Sequence, residues 1–386
     1  MSERFDVAVV GLGALGSATA MELARRGHSV VGLERFPLGH DRGASHDTSR
    51  ILRHSYHTPA YVRLTFEAYA DWARLERDTG RALVTTVGGL DLFPPDAAIA
   101  PKEYVESLDA VGVEHEQLDV QEVAARWPEF RLPEGTLVLH QRDAAIVPAA
   151  VGTATMQEQA VRHGAVLRAE CPVTQLDDTG AGVRLTTPGG VVEAGAVVVC
   201  ADAWANDVLA GVGVQVPLEV TLEQVTYFRP DDPQRFAQGR HPLWIWMDDP
   251  SFYGFPCYGE PTVKAAQDCG GPRVDPDDRG SEPDAELEQR LAAHVQRMLP
   301  GVGAPVRSLR CQYTLTPDRD FVLAPVPGHE SVVVGLGAAH GFKFAPTFGR
   351  LLADLALDGA TSVDVSSFRL DRPALTDPDY AAHWLV

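Results

Sequence analysis

An apolar strand, a glycine-rich turn and a helix open the sequence, and this arrangement constrains the fold more than any other feature. The strand Phe5–Val10 is rich in valine, and the helix after the turn ends at Gly27. Between them Gly11, Gly13 and Gly16 have the spacing G-x-G-x-x-G. There the first glycine allows a tight turn, the second lets backbone N–H groups approach a pyrophosphate, and the third lets helix and strand pack closely. The stretch predicts a dinucleotide-binding βαβ unit, the alternative being a purely structural turn.

An acidic residue at the end of the second strand narrows the choice of ligand. The strand Val30–Glu34 ends in a carboxylate about 20 residues after the glycine turn. A carboxylate at that position accepts hydrogen bonds from ribose hydroxyls and disfavours a 2′-phosphate. The sequence thus predicts a dinucleotide with an unmodified ribose diol.

Size, composition and charge favour a globular enzyme. The 386 residues are too many for one simple core and predict two closely joined domains. A hydrophobic content of 45% and a charged content of 22% are ordinary for such a protein. The formal net charge of −20 repels nucleic acid and anionic membranes, so we expect neither as a partner.

The sequence also lacks the usual marks of export and of metal binding. No apolar stretch approaches the roughly 20 residues of a membrane span, and the first strand begins without a signal peptide. We therefore expect a cytoplasmic protein. The 5 cysteines are scattered without C-x-x-C spacing, which argues against a disulfide or zinc framework, and we expect no metal site.

Apolar and alternating runs predict two kinds of sheet. The runs Ala194–Trp204 and Ser331–Gly337 are apolar enough to be buried parallel strands beside the first strand. Between residues 218 and 309 the strands are shorter and alternating, which predicts an antiparallel substrate domain. Helices are expected over Pro59–Thr79 and Pro101–Trp127.

The nucleotide sheet is therefore visited at the start, middle and end of the chain, and this layout points to FAD. A nicotinamide domain is continuous, whereas the extended length of FAD requires contacts from distant segments. A helix predicted from Ala345 to Asp358 would direct a positive N-terminus at the flavin ring. We predict an α/β fold in which a Rossmann-like FAD-binding domain is interleaved with an α+β substrate domain built on an antiparallel sheet. The predicted boundaries are residues 1–86, 140–217 and 305–386 for the FAD-binding domain, and residues 87–139 and 218–304 for the substrate domain.

Several motifs occur in the order found in one family of flavoenzymes. They are the Gly11–Gly16 turn with Glu34, Asp47–His54, Ala203-Trp204, Cys311–Thr314 and His340–Phe344. Together they resemble, nearly end to end, the family of monomeric sarcosine oxidase and N-methyltryptophan oxidase, within the wider D-amino-acid-oxidase-like flavoenzymes. The resemblance implies a GR2-type FAD domain, a monomer, and oxidation of a secondary-amine amino acid to an imine, with O₂ reduced to H₂O₂.

The resemblance also implies which residues contact FAD. Cys311 matches the cysteine whose sulfur is bonded to the flavin ring, and a cation such as Arg310 would make its thiol reactive. The alternative is an unmodified buried cysteine. The implied FAD-binding residues are Gly11, Gly13, Leu15, Gly16, Glu34, Arg35, Ser45, Thr48, Arg50, Val173, Trp204, Cys311, Gly337, Gly341, Phe342 and Lys343.

The same resemblance implies roles at the substrate. Arg53 and Lys343 match the pair that holds the substrate carboxylate, Lys264 matches the lysine that favours electron transfer to O₂, and Tyr253 matches a tyrosine of the substrate cavity. For the residues taken alone, the alternatives are solvated surface cations for Arg53 and Lys343, a solvated residue on an edge strand for Lys264, and a core side chain for Tyr253.

Two positions depart from the family pattern. Asp268 stands where sarcosine oxidase has an active-site histidine, and Asp202 replaces the usual glycine before Ala203-Trp204. The first change alters the surroundings of the substrate amine, so a larger or cyclic secondary amino acid becomes plausible beside an N-methyl one. The alternatives left open are a flavin dehydrogenase of the same fold with another electron acceptor, a nicotinamide enzyme and a non-catalytic flavin-binding protein.

Overall fold

The computed structural model describes residues 3–384. Within this range the strands, in chain order, are β1 (Glu3–Val10), β2 (Val30–Leu33), β3 (Arg50–Leu52), β4 (Thr85–Thr86), β5 (Gly89–Phe93), β6 (Glu116–Leu118), β7 (Leu137–Gln141), β8 (Ala145–Val147), β9 (Val166–Arg168), β10 (Gln175–Asp178), β11 (Val183–Thr187), β12 (Gly190–Val199), β13 (Glu219–Pro230), β14 (Leu243–Trp246), β15 (Phe252–Phe255), β16 (Val263–Gln267), β17 (Val302–Leu315), β18 (Val322–Val326) and β19 (His329–Leu336).

Most helices lie between these strands along the chain, and the last two follow β19. In chain order they are α1 (Ala14–Arg25), α2 (Pro59–Thr79), α3 (Pro101–Val111), α4 (Val120–Arg126), α5 (Ala149–Arg162), α6 (Ala205–Leu209), α7 (Ala285–Met298), α8 (Ala345–Asp358) and α9 (Pro373–Thr376). Across residues 3–384, each helix is either too short or too polar to traverse a lipid bilayer.

Two compact units divide the chain. The first unit comprises residues 3–48, 148–220 and 312–384, and the second unit comprises residues 49–147 and 221–311. Residues 49–86 therefore lie in the second unit, whereas the sequence prediction placed them in the FAD-binding domain. The physical reason is that β3 pairs with β8 and α2 packs against α3, all within the second unit.

The sheet of the first unit is built from three distant segments, as predicted. Its order is β10-β11-β12-β1-β2-β9, with β19 paired to β12 and β18 to β19. The strand β12 is parallel to both β1 and β19, so the carboxyl ends of these three strands lie at one edge of the sheet. Valine-rich sequences suit these strands because both sheet faces are covered, and Val197, Val199 and Val334 are fully buried.

The sheet of the second unit is mainly antiparallel, with the order β17-β13-β16-β15-β14-β5-β7-β6. One face packs against α7 through a core that includes Trp244, Val263, Leu291 and Val295. On the opposite face, adjacent strands place Ala266, Tyr253, Ile245, Asp91 and Leu139 in one cross-strand row. Paired residues point to the same side of a sheet, so this row marks one side. We call the side that carries the row the functional face.

The predicted α/β class, with an antiparallel sheet in its second part, is confirmed, but one long helix was predicted wrongly. Pro101–Trp127 is not continuous, because α3 ends at Val111 and Gly112 caps it with a φ of 77°. The strand β6 then pairs with β7 before α4 begins. A glycine in the left-handed conformation ends a helix readily, since it carries no Cβ.

Candidate cofactor and substrate site

The glycine turn of the first unit has the shape of a pyrophosphate cradle. Gly11 has a φ of 87°, and a Cβ there would lie 2.5 Å from the carbonyl oxygen of Cys200. A Cβ on Gly16 would lie 1.8 Å from the carbonyl oxygen of Gly11. Helix α1 begins at Ala14 with no acidic residue in its first turn. Its N-terminal N–H groups and dipole therefore favour an anion.

Glu34 is fixed as a hydrogen-bond acceptor beside this turn. Its side chain is 5% exposed, and its two oxygens accept from the N–H groups of Leu12 at 2.7 Å and Phe36 at 3.0 Å. Burial acts to raise the pKa of Glu34, but His40 and these N–H groups outweigh it, and the net pKa is lowered. An ionised carboxylate is the acceptor that a ribose diol requires.

Other predicted FAD-binding residues lie in the first unit. The Ser45 hydroxyl accepts from the N–H of Ala14 at 2.9 Å, at the start of α1. Arg35 lies 5.6 Å from the Trp204 ring, which also meets Phe36 edge-on at 5.2 Å. Two further predicted residues have backbone or packing roles: the Thr48 carbonyl accepts from Ala149, and Val173 packs against the core of the sheet.

Within the first unit, the turn that follows β19 lies close to the glycine turn that follows β1. A Cβ on Gly337 would lie 3.4 Å from the Cα of Gly341 and 3.8 Å from the Leu15 side chain. Phe342 and Lys343 follow in a short 3₁₀ turn that leads into α8. Lys343 is 9% exposed, and its Nζ donates to the carbonyl of His340 at 3.0 Å. This burial excludes the alternative of a solvated surface lysine.

Buried polar atoms of the first unit fit a flavin that carries both donors and acceptors. Both amide atoms of Gln312 and the hydroxyls of Thr314 and Thr347 are buried with no hydrogen-bond partner among the residues that the structure describes. Such groups are costly unless a ligand or water completes them. Gln312 and Thr314 are two residues apart on β17, so they share a face. Together with the glycine cradle they fit FAD.

Asp202, which follows β12 in the first unit, has a strained backbone conformation. Its φ is 48°, and its Oδ2 atom is buried with no hydrogen-bond partner in the described chain. Burial raises the pKa of Asp202 to about 6. A left-handed backbone suits the glycine that the family pattern has there.

Lys264 lies on the functional face of the second unit. It pairs in register with Tyr227 on β13 and Phe255 on β15, so its strand is internal. The side chain is 3% exposed, and Nζ donates to the carbonyl oxygen of Ser49 at 3.1 Å and to its hydroxyl at 3.2 Å. The alternative of a solvated lysine on an edge strand is excluded. Sequence reasoning did not find Ser49 as its partner.

Arg53 lies beside a buried carboxylate that sequence reasoning missed. Arg53 is 7% exposed, and its Nη1 donates to Oδ1 of Asp91, which is 4% exposed. Asp91, on β5, belongs to the cross-strand row that also contains Ile245 of β14 and Tyr253 of β15. A single acid inside the apolar strand Gly89–Phe93 was the available signal.

Asp268 directly follows β16, two residues beyond Ala266 of the functional face. Its N–H donates to the carbonyl of Ser251 at 2.9 Å. Glu223 holds the next turn, because its carboxylate accepts from the N–H groups of Gly270 and Gly271. Burial raises the pKa of Glu223, and the negative charge of Asp268 adds to this effect. Sequence reasoning also missed Glu223.

Cys311 lies beside a cation, but not the predicted one. Its Sγ is 4.0 Å from Nη2 of Arg50, and the residue is 5% exposed. Arg310 instead donates to Leu222 at 2.9 Å and to Gln224 at 3.2 Å. Adjacent residues of a strand point to opposite faces, which is why Arg310 does not face the sulfur. A positive charge near sulfur favours the reactive thiolate.

Comparisons with known proteins agree with this geometry. Residues 6–355 match a family described as DAO, FAD dependent oxidoreductase. Monomeric sarcosine oxidase of Streptomyces avermitilis is 36% identical over 377 residues, covering 95% of this chain and 97% of that protein. N-methyl-L-tryptophan oxidase of Escherichia coli is 28% identical, covering 96% of this chain and 99% of its own length. The structure of NikD, an unusual amino acid oxidase essential for nikkomycin biosynthesis, superposes with a TM-score of 0.85 at 30% identity, covering 95% of this chain and 98% of NikD.

The strain at Asp202 gives a pH-dependent prediction. The folded state holds this carboxyl at a raised pKa, so stability falls as the pH rises from about 4 to about 6 and stays low above it. Asp202→Gly removes the buried acid and the strained φ, and we expect it to stabilise the protein by about 2 kcal/mol at pH 7.5 and by less at pH 4.5. Urea unfolding at the two pH values measures the difference.

The matched control is Asp96→Gly. Asp96 is exposed and has a φ of 59°, so this change relieves only the backbone. A gain for Asp202→Gly that is equal at both pH values, like that expected for the control, would contradict the assignment of a buried carboxyl.

Proposed function

The chain belongs to the DAO family of FAD-dependent oxidoreductases, and from this premise we propose that it oxidises a secondary-amine amino acid, either N-methylated or cyclic. The observation that carries the proposal is the similarity to monomeric sarcosine oxidase along 95% of the chain. The burial of Lys264, Arg53 and Lys343 supports it, since buried cations need a functional or structural reason.

Several residues of the chain are proposed to hold the cofactor. The Gly11–Gly16 turn and Ser45 suit the pyrophosphate, Glu34 suits the ribose, and Cys311 is the proposed covalent anchor. When bound, FAD supplies the acceptor for two electrons from the C–H bond next to nitrogen and passes them to O₂, which yields an imine and H₂O₂. The chain itself must hold the substrate, control its protons and exclude water.

Arg53 is the proposed ligand of the substrate carboxylate. Its planar guanidinium offers parallel N–H donors, which fix both the position and the orientation of a carboxylate. The family resemblance adds Lys343 as a second cation for the same group. Fixing the carboxylate places the reacting carbon, and the effective concentration gained in this way is a large part of catalysis.

The amine side is assigned to Asp268 and Tyr253. Oxidation at the carbon requires the nitrogen lone pair, so the amine must react in its neutral form. A carboxylate at Asp268 is able to accept the amine N–H or its proton, a role that the histidine of the family would fill differently. Tyr253 lies on the functional face in the row of Asp91, where its ring limits the size of the substrate.

The first test is an anaerobic screen of the flavin-containing protein. We expect at least one of sarcosine, N-methyl-L-tryptophan, L-proline and L-pipecolate to bleach the flavin absorbance, because each of them carries a secondary amine on the carbon next to a carboxylate. Air should then restore the colour with one H₂O₂ per substrate. Bleaching without peroxide in air would indicate a dehydrogenase, and no bleaching by any amino acid would reject catalysis on this class.

The covalent anchor gives a separate prediction. We expect flavin fluorescence to migrate with the wild-type chain on a denaturing gel and to be lost in Cys311→Ala, because the thioether resists unfolding. The matched control is Cys257→Ala, which changes a half-buried cysteine of the same unit and should keep the fluorescence. A dark wild-type band means that the flavin is not covalently bound.

The proposed oxygen site is tested at Lys264. Replacing it by Met removes a buried positive charge, and we expect flavin reoxidation by O₂ to slow by about 100-fold while reduction by substrate changes little. Stopped-flow absorbance separates the two half-reactions. The control is Lys102→Met, since Lys102 is an exposed lysine on α3. Unchanged reoxidation in Lys264→Met would remove this role.

A further inference from the structure

The family resemblance gives no role to the carboxylate that contacts Arg53. Asp91 lies within β5 and is 4% exposed, and Arg53 donates to it through Nη1. Both groups are therefore withdrawn from water, which is costly for a charge unless a partner compensates. A buried acid beside Arg53, the residue proposed to bind the substrate carboxylate, requires an explanation.

The pair keeps Arg53 charged. Burial acts to lower the pKa of Arg53, but Asp91, Tyr104 and Tyr56 outweigh it, and the net pKa is raised. The Arg53 guanidinium also lies 5.5 Å from the Tyr56 ring. Asp91 thus provides the negative charge that allows a guanidinium to persist inside the second unit.

Strand pairing holds the backbone on both sides of the Asp91–Arg53 hydrogen bond. Asp91 is paired to Leu139 on one side and to Ile245 on the other, so its backbone is held by two neighbouring strands. Arg53 directly follows β3, which is itself paired with β8. A hydrogen bond between two such supports fixes the direction of the guanidinium before any ligand arrives.

The pair leaves donors for a ligand but weakens their attraction. In the described part of the chain, the hydrogen bond to Asp91 occupies Nη1, and a guanidinium has five N–H donors in total. A ligand carboxylate bound at the other donors would lie within several ångströms of the Asp91 carboxylate. Like charges at that separation repel each other strongly in a buried site.

We propose that Asp91 is a positioning residue that orients Arg53 and lowers its affinity for carboxylates. The inference rests on the proposed role of Arg53 as the carboxylate ligand and deepens it. A site with this pair binds simple anions weakly, so a ligand must bring further favourable contacts, such as a cationic or hydrogen-bonding amine. Weak attraction also lets a product carboxylate leave.

The test measures binding of acetate, a carboxylate without an amine, to the flavin-containing protein. Calorimetric titration should give a Kd about 5- to 10-fold lower for Asp91→Asn than for the wild type, because the repelling charge is gone and an acceptor for Nη1 remains. The control Glu116→Gln changes the charge equally on β6, where Glu116 is bonded to Arg126, and should leave the Kd unchanged. Arg53→Met should abolish acetate binding while retaining the flavin.

Two further arms keep the outcome decisive. Asp91→Ser removes the same charge and leaves room for water, so it should also tighten acetate binding if the asparagine variant does not fold. With a substrate from the anaerobic screen, Asp91→Asn should lower KM more than it changes kcat. An unchanged or raised acetate Kd in a folded variant overturns the proposal. If no amino acid bleaches the flavin, the proposed function fails, yet the acetate titration still reports on the pair.

Discussion

The parallel pairing of β12 with β1 on one side and β19 on the other is the interaction on which the first unit depends. It brings three distant chain segments to one edge of a sheet, where Gly11, Asp202 and Gly337 follow the ends of these strands. No one segment supplies a whole FAD site. The glycine turn after β1 and the turn before α8 lie at the same edge of the sheet because the valine-rich strands are buried together. Only this placement lets the two turns serve one ligand.

The distinctive feature of the second unit is the burial of charged side chains. Its antiparallel sheet uses one face for an apolar core and keeps Lys264, Asp91 and the partner Arg53 on or over the other. Each is stabilised in a specific way: Lys264 by the oxygens of Ser49, Arg53 by a carboxylate. Such groups stabilise a fold less than apolar residues of the same volume would. Their presence is therefore better explained by function than by stability.

Much of this architecture could be predicted because it rests on local signals. The helices α2 and α8 have the predicted bounds, since Thr58 and proline start α2 and glycines end both helices. The family and the α/β class were likewise confirmed. The carry-over of single site residues and the covalent flavin stay predictions, because they concern a bound group rather than the chain alone.

What sequence reasoning left open or missed depended on long-range pairing. The strand of Lys264 is internal only because β13 and β15 flank it, which alternation along β16 cannot reveal. Arg53 and Asp91 are separated by 38 residues, and nothing near either one identifies the other. The grouping of residues 49–86 with the second unit has the same origin, since β3 is held there by its pairing with β8 rather than by its own sequence.

The balance of charge on the functional face bears on the form in which a substrate enters. Lys264 on this face and Arg53 over it are formally matched by Asp91 and by Asp268, which directly follows β16. A face that is close to neutral attracts neither a simple anion nor a simple cation strongly. Such a face would suit the zwitterionic form of the amino acid that we propose as substrate. The amine must then lose its proton after binding, and Asp268, which directly follows β16, is the residue that we propose to accept that proton.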